Sequence, residues 1–108
     1  MMSGEIGRSG SADWWSASSG TYYWVLDYLA AEVTDGEVAE QFRAATTHGF
    51  RTVDLGHLTP AQRREVLDLI QGPLAPAAAA RFPGPDGEAV RKWVDELKKV
   101  APSWADAG

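Results

Sequence analysis

The chain has 108 residues, no cysteine and a formal net charge of −5, which suits one domain with one core and excludes disulfides, thiolate metal sites and cysteine nucleophiles together. Residues 1–58 carry only Arg8, Arg43 and Arg51 against eight carboxylates, whereas residues 59–108 balance seven basic with seven acidic side chains. An acidic chain of this kind argues against nucleic acid and against an anionic membrane as partner, since both select basic patches, and it leaves room for a basic protein partner or for self-association.

Residues 1–13 are rich in Gly, Ser and polar side chains and have no apolar stretch of the secretory kind. They are expected to form a flexible N-terminal tail, with residues 14–108 as a single helical domain in the cytoplasm. Low Lys and absent Asn beside abundant Ala, Gly and Arg suggest a GC-rich, bacterial genome.

After Trp14 and Trp15, Ser19 or Thr21 is a suitable cap for a first helix. From Tyr22 to Val33 apolar residues fall at 22, 26, 29 and 33, a helical stripe. Tyr23, Trp24, Val25 and Tyr28 fill other faces of the same helix. Asp27, Ala31 and Thr34 are left for its solvent side.

Thr34 followed by Glu37 has the form of a capping box and predicts a second helix to about His48, closed by Gly49. Phe50 follows where a residue commonly folds back onto the helix. Residues 50–55 alternate, which suggests a short extended segment; with no second strand predicted to pair with it, it is taken as a connector. Thr59-Pro60-Ala61-Gln62 starts a third helix with Val66, Leu67 and Ile70 inward. Gly72-Pro73 ends it, and Pro76 to Ala80 is long enough for a short extra helix.

Pro83-Gly84-Pro85-Asp86-Gly87 is a strong break, with Asp86 as the expected cap of a fourth helix. That helix places Val90, Trp93, Val94, Leu97 and Val100 at i, i+3, i+4, i+7 spacing. Arg91 with Asp95 and Lys92 with Glu96 are spaced to pair on its outer side. Pro102 stops it, and Trp104 is expected to fold back onto the rest. The predicted fold class is all-α: a small bundle of four main helices with a short extended connector around residues 50–55.

No spacing in the sequence matches a metal, phosphate-loop or nucleophile-elbow motif, so no catalytic residue, metal or cofactor is assigned. The feature that departs from an ordinary helical domain is aromatic density. Trp14, Trp15, Tyr22, Tyr23, Trp24 and Tyr28 are six of the chain's eleven aromatics. Side chains adjacent on a helix point about 100° apart, so one core face cannot take Tyr22, Tyr23 and Trp24 together. Aromatic side chains anchor both cores and interfaces.

The expected partner-binding residues are therefore Trp14, Trp15, Tyr23, Trp24, Asp27 and Tyr28. The function they suggest is that of a small acidic protein-binding domain, such as an immunity or antitoxin-like inhibitor of a basic bacterial protein. Two alternatives stand beside it. One is a small enzyme or small-molecule binder using His48, Asp54 and His57. The other is a homodimeric structural or regulatory module.

Overall fold

A computed structural model describes residues 3–106. Ser3–Gly7 forms β1, the middle strand of a three-stranded sheet. β2 (Trp15–Ser18) lies antiparallel on one side, with Ile6 opposite Trp15 and Ser3 opposite Ser18. β3 (Thr52–Asp54) lies parallel on the other side, with Ile6 opposite Val53. The expectation of an all-α chain is thus corrected to a mostly helical chain with a small mixed sheet. Residues 3–7 are sheet instead of tail, and the segment around 50–55 is a paired strand instead of a connector.

Both differences trace to β1. Gly4 and Gly7 have no side chain to bury, yet both are buried. A Cβ at Gly4 would fall 2.0 Å from the ring of Tyr22, and one at Gly7 would fall 2.1 Å from the indole of Trp14. The aromatic rings lie directly on the glycine backbone. Glycine ordinarily weakens a strand, but it also marks where another group must approach the main chain. Gly4 and buried Ile6 share the core face of β1, while Gly7 faces the other way under Trp14, so both faces are covered in a way that a hydrophobicity pattern does not register.

There are five α-helices among the described residues, one more than the four main ones expected. α1 (Ser19–Glu32) is capped by Ser18, whose hydroxyl accepts from the Thr21 N–H. Tyr22, Val25, Leu26 and Leu29 are its buried stripe. α2 (Gly36–His48) is capped by Asp35, which accepts from the N–H groups of Glu37 and Val38. Thr34, the expected cap, is instead held by the Glu65 carboxylate. Gly49 closes α2 with φ of 71°, and the Phe50 N–H reaches back to the Ala45 carbonyl. The ring of Phe50, however, stays 54% exposed.

A 3-10 turn, Leu55–His57, leads to α3 (Pro60–Gln71). Here the capping box forms as predicted: Thr59 accepts from the Gln62 N–H and the Gln62 side chain accepts from the Thr59 N–H. α4 (Leu74–Arg81) is the short extra helix. α5 (Glu88–Val100) starts from Gly87 with no side-chain cap, so Asp86 does not take that role. Arg91 donates to the carbonyls of Phe82 and Gly84 and thereby fastens the loop before α5.

The buried side chains form one cluster that runs from Ile6 and Trp15 in the sheet, through α1 and α2, to Val94, Leu97 and Trp104. Trp104 does fold back: it is fully buried, and its indole donates to the Asp13 carbonyl at 2.7 Å. No helix among the described residues is long and apolar enough to cross a membrane.

Candidate functional site: the outer face of α1

The six residues singled out by aromatic density separate into three groups. Trp15 belongs to the core. It is 2% exposed, and its indole donates to the Trp93 carbonyl at 2.8 Å, joining β2 to α5. Its neighbour Trp14 is on the surface, lying over Gly7 beside Glu96, Lys99 and Val100 of α5. Neighbours along an extended chain point to opposite sides, which is why the pair divides.

Tyr23, Trp24 and Tyr28 are half-buried, and Asp27 is exposed. On an α-helix Tyr23 and Asp27 share one side and Trp24 and Tyr28 another, because residues four apart lie one above the other. Asp27, Ala31 and Thr34 are all exposed, as the sequence predicts for the solvent side. The outer face of α1 is therefore a strip of small and acidic residues with an aromatic border on each flank.

One border is built from Trp24, whose ring stacks on Tyr28 at 5.7 Å and meets Phe82 edge-on at 5.2 Å. The guanidinium of Arg81 sits 4.9 Å from the centre of the Phe82 ring. Burial, and secondarily the charge of Glu32, raises the pKa of Tyr28 above its ordinary value. The other border is Tyr23, whose ring meets Tyr22 edge-on at 4.9 Å. Tyr22 is buried, and its hydroxyl donates to the Phe50 carbonyl at 2.8 Å. Burial, with a smaller contribution from Tyr23, pushes its pKa up to about 12.

Phe82 completes the Trp24 border, and sequence alone did not point to it. Phe82 follows α4 and meets α1 only through the tertiary fold. Phe50 was expected to turn inward with the chain after Gly49.

Apart from Arg81 beside Phe82, the charged side chains of the α1 stretch are acidic. From Ser9 to Phe42 the chain holds no Lys or Arg, while it holds Asp13, Asp27, Glu32, Asp35, Glu37 and Glu40. Glu37 and Glu40 also line a shallow depression on α2 with Gly36, Gln41 and Ala44.

Of the three residues weighed for chemistry, Asp54 and His57 meet and His48 stands apart from their pair. His57 lies 3.7 Å from the Asp54 carboxylate, whereas the exposed His48 ring lies 5.7 Å from Phe50. Asp54 also accepts from the Ser9 N–H and hydroxyl and from the Gly56 N–H. Partial burial raises its pKa, but the hydrogen bonds from Ser9 and Gly56 and the nearby His57 outweigh that, and the net direction is down. The carboxylate thus ties the end of β1 to the turn after β3. Among the described residues no group of three His, Asp or Glu side chains is placed to hold a metal ion.

Compared with protein-family models, with curated proteins and with solved structures, the chain matches none of them.

Proposed function

We propose that this chain is a small acidic protein-binding domain of the immunity or antitoxin kind, which covers a basic protein with the outer face of α1. The observation that carries this is the coincidence of half-buried Tyr23, Trp24 and Tyr28 with exposed Asp27 in a stretch without a single cationic side chain.

Each component has a physical role. The carboxylates steer a cationic partner and set its orientation, an effect that acts mainly on the association rate and weakens with salt. The aromatic rings supply contact area at low cost in side-chain freedom and are the residue types that dominate interface energetics. Tyr22 supports Tyr23 from beneath, as a core residue whose hydroxyl is satisfied by the Phe50 carbonyl. A rigid backing of this kind lowers the ordering cost of association.

The test pairs the natural chain with Asp27→Arg in capture from the native cell. Asp27 is exposed, so the reversal leaves the core intact. The expected result is a basic protein retained by the natural chain, lost with Asp27→Arg and weakened by salt. Retention of no protein, or of the same protein by both forms at every salt concentration, refutes the proposal.

A further inference from the structure

A groove of about 750 Å³ lies between α3 and the segment after α5, a size within the usual range for small-ligand sites. We propose that this groove is a binding site for an organic carboxylate, and that Asp106 is an internal occupant of its anion-binding end. The proposal is independent of the face of α1.

Arg63 is the reason. It is 4% exposed, and its guanidinium donates to the carbonyls of Leu55 and Leu58 and to Asp106 Oδ1 at 2.7 Å. Its Nε has no hydrogen-bond partner among the described residues. Arg8 approaches from the other side, donating to the Trp104 carbonyl and to the same Asp106 oxygen at 2.8 Å. Two guanidiniums from distant parts of the chain therefore converge on one carboxylate oxygen. A buried cation needs an anion to offset its desolvation. Here the anion comes from Asp106, which follows the last turn and is itself 36% exposed at the side chain.

Arg64, the next residue on α3, lines the same groove and makes no hydrogen bond or ion pair among the described residues. The groove's own lining holds Arg64 against Asp68 and Asp106, and Arg8 and Arg63 reach it through Asp106, so a ligand that displaces Asp106 meets those two guanidiniums beside Arg64. Beside the charged end, Leu67, Ala101 and Pro102 give the groove an apolar wall. The matching ligand is a monoanion with its carboxylate next to a compact apolar group. A bare carboxylate has to displace a tethered competitor whose effective concentration is on the order of millimolar. Burial of the apolar group against Leu67 and Pro102 is what tips the exchange.

Thermal unfolding of the full chain, followed by tryptophan fluorescence, tests this in sodium chloride, acetate and benzoate at equal ionic strength. Asp106→Ala is expected to lower Tm in chloride, to recover at least half of that loss in acetate and to recover more in benzoate. The natural chain is expected to respond to benzoate alone. Asp106→Asn, which keeps a hydrogen-bond acceptor but loses the charge, covers the case in which Asp106→Ala does not fold. Side-chain NMR of the natural chain gives a readout independent of either variant: benzoate moves the Arg8, Arg63 and Arg64 signals and acetate does not. Equal Tm responses of the variants to all three anions, or arginine signals unmoved by benzoate, overturn the proposal.

Discussion

Replacing Tyr22 by Phe removes one partly buried hydroxyl and leaves the ring that covers Gly4 in place. That hydroxyl donates to the Phe50 carbonyl at 2.8 Å. At neutral pH the loss of one such bond costs about 1 kcal/mol. The alkaline range tells more. The native phenol ionises only at about 12, against an ordinary 10.0. The unfolded chain therefore loses its proton first. The stabilisation from the neutral phenol is complete below pH 10 and is lost as pH rises toward 12. That difference corresponds to ~2 kcal/mol for a buried group. Tyr22→Phe has no such loss. It should be less stable than the natural chain by about 1 kcal/mol at pH 7 and more stable by a similar amount at pH 12. Urea unfolding at pH 7, 10, 11 and 12, read by tryptophan fluorescence, gives the two curves. Ionisations common to both proteins cancel in their difference. A difference that stays constant from pH 7 to 12 refutes the reasoning.

The two sheet glycines should differ in tolerance. Gly4→Ala drives a methyl into the ring of fully buried Tyr22, whereas Gly7→Ala meets Trp14, which can swing into solvent. Overpacking costs about 1–3 kcal/mol, and urea titration should put Gly4→Ala at the upper end and Gly7→Ala below it. Thr59→Ala removes the hydroxyl half of a reciprocal cap, keeping the backbone N–H that donates to Gln62, and should cost about 1 kcal/mol, while Asp86→Ala, which removes no cap, should leave the urea midpoint unchanged. Asp54 has a lowered native pKa, so its contribution is present above the ordinary carboxylate value near 3.8 and is lost as pH falls through the lower native one. Asp54→Asn should be less stable at pH 7 and show a shallower acid limb when Tm is followed from pH 6 down to 2.

The helices were legible where punctuation was chemical. Thr59 with Gln62, Gly49 after His48 and the run from Val90 to Val100 each carry their own local physics, and each behaves accordingly. Caps chosen between neighbours were less legible. Thr34 and Asp35 are both good caps, and the choice was made by Glu65 on α3, which takes Thr34 for itself. Likewise Arg91, spaced to meet Asp95 along its own helix, is drawn instead to two carbonyls before α5.

The sheet was not legible because its central strand borrows its hydrophobic surface. Ser3–Gly7 reads as polar and glycine-rich, and the apolar mass that covers it belongs to Trp14 and Tyr22. Once β1 is unrecognised, residues 52–54 have no partner to suggest a strand. The aromatic excess was legible as an excess, but its division was not. Which of Tyr22, Tyr23 and Trp24 faced the core depended on how α1 sits over the sheet, and no local pattern fixes that rotation. Asp106 and Arg63, 43 residues apart in sequence, carried no signal at all.

The contacts of Arg8 with Asp106 and of Trp104 with Asp13 span 98 and 91 residues. Between them they clasp the turn after α5 to the segment that joins β1 to β2. A force applied to the C-terminal end would load this clasp first, and α5 would feel tension only after it opened.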